Sequence, residues 1–399
     1  MGHKMKFPEH FLFGTSTSAG QIESAIEHDW MGFRASDGAV LSRTTDHELH
    51  WKNDVDLVAG LAPGYRMSLM WSRLQKSPLA EFDPVAMAFY RDLLDALVDR
   101  KVDIMLVMHH FVNPLWFAEA GGWTNPKSVH WWMDYVRRLV RDFGSYVSSW
   151  NTFNEPNLYV NLAYLNGIFP PRKTNPWLTW QALRNMSRAH QEAVAFIHAE
   201  CPGAAVGISH NAAVMEPDNL FGVLPAKLVD WWYQEFLPDW FRSGDFFGLS
   251  YYARIGFDPL PVTWMHRPER LQRSGKQHDD MWEYHPEGLL KVLMRYHKKY
   301  RKPLIVTENG ICTSNDRFRE QAIRDYLKAV HQAIGMGADV RAYYHWSAWD
   351  NFEWHLGPSY KFGLADGEAV EGNRARKPSA DLYSGVAFSR VLDCIDDQT

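Results

Sequence analysis

Cysteine is nearly absent from this chain. Only Cys201, Cys312 and Cys394 occur, an odd number spread far apart. That leaves no disulfide framework and no cysteine metal motif, so reduced thiols in the cytosol are expected. An excess of positive charge is also missing. The formal net charge is −5, so nothing suggests a groove that tracks phosphates, and nucleic acid is not an expected partner. No apolar run reaches membrane-span length, so no membrane association is expected. The opening Met1-Gly2-His3-Lys4-Met5-Lys6-Phe7-Pro8 lacks the apolar stretch of a secretory signal. Linkers, low-complexity tracts and simple repeats do not occur. No Gly-x-Gly-x-x-Gly follows the first apolar run, which argues against a doubly wound dinucleotide fold. His109 and His110 are neighbours in a run that reads as a strand. Their side chains then point to opposite faces and cannot chelate one metal together. Neither metal nor cofactor is expected.

What is present is length and pattern. A chain of 399 residues is long for an ordinary domain but normal for one large α/β barrel. Eight short apolar runs read as buried parallel strands: Phe11–Thr15, Tyr65–Met70, Asp103–His109, Ser149–Asn154, Ala205–His210, Phe246–Tyr252, Leu304–Thr307 and Arg341–Trp346. Amphipathic stretches lie between them, among them Val85–Lys101, Val129–Phe143, Trp177–Glu200, Glu287–Lys299 and Phe318–Met336. Strand–helix alternation repeated eight times predicts a single (β/α)8 TIM barrel of α/β class, one domain over residues 1–399. In such a barrel the chemistry sits at the C-terminal strand ends. Seven of the eight ends carry a polar or aromatic residue: Gln21, Arg66, His110, Asn154-Glu155, Tyr252, Glu308-Asn309 and Trp346.

Two carboxylates stand out. Glu155 ends Trp150-Asn151-Thr152-Phe153-Asn154-Glu155-Pro156, and Glu308 follows Leu304-Ile305-Val306-Thr307. One glutamate at a strand end reads equally well as a salt bridge. Two, each flanked by Asn and a turn former, point to chemistry. Glycoside cleavage needs two carboxyl groups, and retention needs them about 5–5.5 Å apart. Their environments must push their pKa values apart. Arg66 is a candidate counter-ion lowering the pKa of Glu308, and Tyr252 a candidate hydrogen-bond donor to it. The 18 Trp suit a site that stacks on the flat apolar faces of sugars.

At these residues the chain resembles the family 1 glycoside hydrolases nearly end to end. Phe7-Pro8-Glu9-His10-Phe11-Leu12-Phe13-Gly14-Thr15 with Gln21 and Glu23 is similar to the family's opening. Tyr65-Arg66-Met67-Ser68, Thr152-Phe153-Asn154-Glu155-Pro156, Thr307-Glu308-Asn309-Gly310 and Trp346-Ser347-Ala348-Trp349-Asp350-Asn351-Phe352-Glu353-Trp354 are similar to four further segments, in order. The resemblance implies a retaining β-glycosidase, with Glu155 as acid/base, Glu308 as nucleophile and Asn154 on the sugar 2-OH. It implies that Gln21, His110, Glu353 and Trp354 hold the outer hydroxyls, that Trp346 forms the floor and that Trp282 is an aglycone platform. The implied partner is a small-molecule β-glycoside or oligosaccharide. A glucoside is expected first, with galactoside and fucoside open.

Several positions depart from the family's pattern. Ser250 stands where Asn is usual, Phe111 where Trp is usual, and Ala348-Trp349 where smaller aliphatic residues are usual. The segment from Tyr252 to Trp282 is short, which predicts a more open aglycone mouth. A 6-phospho-β-glycosidase is the alternative enzyme. Its relatives replace the Glu353 position with a small polar residue, whereas a carboxylate there repels phosphate. A non-catalytic sugar-binding relative would have lost a catalytic glutamate, and both are here.

Overall fold

The computed structural model describes residues 4–24, 26–257 and 275–393. Its centre is a closed barrel of eight parallel strands. These are β1 (Leu12–Ser16), β2 (Gly64–Ser68), β3 (Asp103–His109), β4 (Ser149–Asn154), β5 (Ala205–Pro217), β6 (Phe246–Phe257), β7 (Leu304–Asn309) and β8 (Val340–Trp346). β1 pairs with both β2 and β8, and that last pairing closes the ring. Each predicted strand exists, as an α/β barrel requires. Four run further than their apolar stretches: β1 to Ser16, β5 to Pro217, β6 to Phe257 and β7 to Asn309. β5 and β6 stay paired out to Pro217 opposite Phe257, and β7 stays paired with β6 to Asn309 opposite Tyr251. Glu308 therefore lies within its strand instead of just beyond it, and Tyr252 lies inside its strand instead of ending it.

One principal helix follows each strand: α1 (His47–Leu61), α2 (Pro84–Asp99), α3 (Ser128–Phe143), α4 (Pro176–Glu200), α5 (Val223–Asp230), α6 (Pro286–Tyr300), α7 (Asp316–Gly335) and α8 (Pro378–Ser389). The starts are written locally. Asp83 accepts from the amides of Val85 and Ala86 ahead of α2, and Asn175 accepts from those of Trp177 and Leu178 ahead of α4. In both, proline occupies the first helical turn, where its missing N–H costs nothing. Two small antiparallel pairs lie outside the barrel: Lys4–Lys6 with Val391–Asp393, and Ala365–Val370 with Asn373–Arg376.

Strand alternation decides what faces the barrel mouth. His109 turns outward, ringed by Trp123, Trp132, Phe153 and Tyr159, with Nε2 at 3.0 Å from Asn113 Oδ1. His110 turns inward, 5.8 Å between ring centres from Trp346 and from Trp354. The two histidines serve different faces, as adjacent strand residues must. Trp349 is fully buried: its indole donates to Thr45 Oγ1, and the Arg374 guanidinium lies 4.7 Å above its ring. That departure from small residues is a packing feature outside the site. Cys201 and Cys312 are free thiols, and Cys394 lies outside the described residues. No helix of the described residues is long and apolar enough to cross a membrane. No group of three metal-ligating side chains occurs among them either.

Candidate active site

A cavity opens at the C-terminal ends of the strands, and both glutamates line it. Glu308 is held from two sides. Arg66 Nη1 donates to its Oε1 at 2.7 Å, and the Tyr252 hydroxyl donates to its Oε2 at 2.7 Å. Arg66 is itself completely buried. Its other donors reach Ser16 Oγ at 3.0 Å, Asn154 Oδ1 at 2.6 Å and Ser209 Oγ at 3.1 Å. One guanidinium from β2 thus ties together β1, β4, β5 and β7. The planar fork of arginine suits this, since its donors point in fixed directions.

Arg66 also sets two neighbours. Because it donates to Asn154 Oδ1, the Asn154 amide nitrogen must face the other way, 3.0 Å from His110 Nε2. That nitrogen of His110 then accepts, so the ring is neutral with its proton on Nδ1, which has no protein partner. Burial and the Arg66 charge hold the His110 pKa well below its usual value, in agreement. An Nδ1–H without a partner among the described residues, in a cavity also lined by Glu155 and Glu308, is a donor that a ligand hydroxyl could meet.

Glu155 has a different environment. It adopts φ 42°, ψ 54° just ahead of the short helix Pro156–Val160. A left-handed conformation in a residue other than glycine costs about 1–3 kcal/mol and concentrates at functional sites. Phe111 (φ 65°) and Trp354 (φ 39°), two more lining residues, share it. Phe111 stacks on Tyr159 and meets Trp354 edge-on, so it remains part of the aromatic wall. Glu155 Oε1 accepts from Asn211 Nδ2 at 2.9 Å, and Asn211 Oδ1 accepts from the Tyr233 hydroxyl at 2.9 Å. Ser250 lies close enough to help hold a charge on Glu155 but outside the geometry of a full hydrogen bond.

Electrostatics separate the two acids. Burial, then the charge of Glu308, push the Glu155 carboxyl up to about 8. Burial also raises Glu308 above its ordinary value, while Arg66 and Tyr252 pull the other way. Arg66 thus lowers the Glu308 pKa as expected, while burial, which the sequence does not show, raises it by more. Among the described residues only Glu308 of the two touches a cation, which favours its charged form over that of Glu155.

The remaining predicted residues fall into two groups. Trp346, Glu353, Trp354 and Trp282 line the cavity with His110 and Asn154. Trp282 packs on Tyr252 at 5.2 Å. Burial, then the Glu308 charge, raise Glu353 to about 8. Gln21 stands behind Glu353, on the short helix Ala19–Ile22. Its amide nitrogen donates to Asn351 Oδ1 at 2.9 Å, Phe352 O at 3.0 Å and Glu353 Oε2 at 3.2 Å. Only its buried Oε1 is left without a protein partner. Most of the short segment between Tyr252 and Trp282 lies outside the described residues.

Asn211 is the residue that sequence reasoning missed. The fifth strand was the one for which no end residue was named, although its run closes on the polar Ser209, His210 and Asn211. The strand continues, and Asn211 is the inward residue next in line. Ser16 and Ser209, which orient Arg66, gave no sequence signal.

A profile of Glycosyl hydrolase family 1 matches residues 3–222 and 236–390. The chain is a family 1 glycosyl hydrolase. This O-glycosyl hydrolase is 28% identical to beta-glucosidase A of Thermotoga maritima, over 97% of this chain and 99% of that one. It is 27% identical to a 1,4-beta-D-glucan glucohydrolase of Thermotoga neapolitana, over 97% and 99%. The structure of the Thermotoga maritima beta-glucosidase in complex with deoxynojirimycin is similar at a TM-score of 0.88, 25% identity, and 98% and 100% coverage. The first of these alignments spans 448 positions against 399 residues here, so the relative carries residues that this glycosyl hydrolase lacks.

Proposed function

We propose that this family 1 enzyme hydrolyses terminal non-reducing β-D-glucosides with retention, through a covalent glycosyl-enzyme. Glu308 is the nucleophile and Glu155 the acid/base. One observation carries the reading: two buried glutamates line one cavity, and among the described residues only Glu308 of the two touches a cation.

With its pKa up at about 8, Glu155 enters the reaction protonated and gives its proton to the departing oxygen. Glu308, already ionised, attacks the anomeric carbon and forms an ester to the sugar. That bond neutralises the charge which helped raise Glu155. The Glu155 pKa then falls, and the same group removes a proton from the attacking water. Asn154, fixed by Arg66, offers its amide to the sugar 2-OH. His110 donates through Nδ1, and Glu353 and Gln21 Oε1 accept outer hydroxyls. Binding energy from those groups offsets distortion at the reacting carbon. The glucoside assignment draws on relatives named for glucosides and glucans. The test is proton NMR during hydrolysis of an aryl β-glucoside. β-Glucose is expected as the first product, and α-glucose would overturn retention.

A bell-shaped pH dependence of kcat/KM should follow, with its upper limb near the Glu155 value of about 8. The sign is fixed: activity needs Glu308 deprotonated and Glu155 protonated, so it falls below the first pKa and above the second. Arg66→Met removes a cation that favours charged Glu308, so the lower limb should move to higher pH. Asn211→Ala removes a donor that favours charged Glu155, so the upper limb should also move to higher pH. Tyr233→Phe should do the same more weakly, since it only orients Asn211. Initial rates of each variant across pH check these shifts. Limbs that stay in place would detach Arg66 and Asn211 from the two acids.

A further inference from the structure

We propose that Asp279 is a positioning residue: it fastens the turn that carries Trp282 to the loop after Glu308, and so keeps Tyr252 donating to the nucleophile. This rests on the β-glycosidase reading above. Asp279 is buried, yet the mechanism gives it no proton to move. Its Oδ1 accepts from the amides of Met281 at 2.7 Å and Trp282 at 2.6 Å. Its Oδ2 accepts from the Cys312 amide at 3.0 Å, 33 residues away in sequence. Cys312 lies just beyond the end of β7, the strand that carries Glu308. Main-chain bonds run the same way. The Asp279 amide donates to the Trp282 carbonyl at 3.0 Å, and the Asp280 amide to the Cys312 carbonyl at 2.9 Å. One carboxylate thus staples the two segments together.

The carboxylate form is what this place needs. Three N–H groups converge on Asp279, and among the described residues no cation pairs with it. An asparagine would offer one acceptor oxygen and turn its own N–H toward another donor. Asp280, the Cys312 thiol and the Tyr326 hydroxyl lie near it and bring no positive charge. Burial raises Asp279 to about 6, against the pull of the three amides. A lone buried carboxylate is a costly way to close a turn. What it fixes is the wall around Tyr252. The Trp282 ring packs on Tyr252 at 5.2 Å between centres, and Phe362 meets Tyr252 edge-on at 5.9 Å. The Tyr252 ring is confined by both, with its hydroxyl 2.7 Å from Glu308 Oε2. Without the Trp282 side, the ring can turn about its side-chain torsions and give up that bond. Glu283, next to Trp282, pairs with Arg254 of β6 at 2.9 Å. With that second hold in place, loss of Asp279 should loosen the turn and leave the barrel folded.

The experiment is the pH dependence of kcat/KM on 4-nitrophenyl β-glucoside for wild type, Asp279→Asn, Tyr252→Phe and the double variant. Glu308 faces Arg66, His110, Glu155, Tyr252 and Glu353, and of these only Tyr252 changes in the series. Its hydroxyl favours charged Glu308, so losing it raises the Glu308 pKa and moves the lower limb to higher pH. Tyr252→Phe should move that limb by roughly half a unit to one unit. Asp279→Asn should move it the same way by part of that amount, and the double variant no further than Tyr252→Phe alone. Asp279→Ser, whose hydroxyl can serve only the Trp282 turn, should behave like Asp279→Asn. The position of the limb does not depend on how much of a preparation is folded, so a variant of poor yield still reports. A purely structural Asp279 would scale the whole profile down and leave the limb in place. That result, or shifts that simply add in the double variant, would overturn the proposal alone. A limb unmoved by Tyr252→Phe, or a wild type that does not cleave the substrate, would bring down the reading of Glu308 in a β-glucosidase, and this proposal with it.

Discussion

Glu308→Ala is expected to lower kcat by roughly four orders of magnitude or more for every β-glucoside, while sugar binding persists. The first covalent step requires the carboxylate that Arg66 and Tyr252 hold. His110, Asn154 and Glu353 remain to grip the glycone. The alanine leaves a gap beside the Arg66 cation, which suits a small anion. Azide or formate should therefore restore part of the rate with an activated aryl glucoside, and azide should yield the glucosyl azide of inverted configuration. Near-normal turnover without added anion would remove Glu308 from the nucleophile role.

Glu155→Ala should divide substrates by leaving group. Alkyl glucosides, whose oxygen needs a proton to depart, should lose roughly 10²–10⁴-fold in kcat/KM. Dinitrophenyl glucoside should still form the glycosyl-enzyme at close to the normal rate, because its phenolate leaves unaided. Its later hydrolysis should slow, since no base activates water, and the intermediate should accumulate as a burst. The upper limb of the pH profile, set near 8 by Glu155, should vanish for that substrate. An equal loss across leaving groups of different acidity would assign the proton transfer elsewhere.

The barrel was legible because buried parallel strands are apolar on both faces, and all eight runs stand out against polar helix surfaces. α2, α3, α4, α6 and α7 were legible from their amphipathic period. α1 was less so: His47–Leu61 mixes His, Lys, Asn and Asp through its length and buries a polar Asp54 against Arg374. The pairing of Lys4–Lys6 with Val391–Asp393 joins opposite chain ends, which no local pattern can announce. At the site, residues carried by a strong local motif could be read directly, as with Glu155 between Asn154 and Pro156. Asn211, which acts through a partner, was missed: it matters because Glu155 lies opposite it, and nothing in its own segment announces that. For Glu308 the sequence named the cation that lowers its pKa but not the depth of burial that raises it.

The position of Arg66 also bears on when activity can arise during folding. Its guanidinium needs acceptors from β1, β4, β5 and β7, and β1 joins the sheet fully only by pairing with β8 at the opposite end of the chain. A half-formed barrel would hold a buried cation with some acceptors missing, a costly arrangement. Glu308 and Arg66 thus neutralise each other only in the closed ring. Assembly of the Arg66–Glu308 pair is then tied to closure of the ring, and a chain caught with its ends apart would have helices and strands but not the completed acceptor set around Arg66.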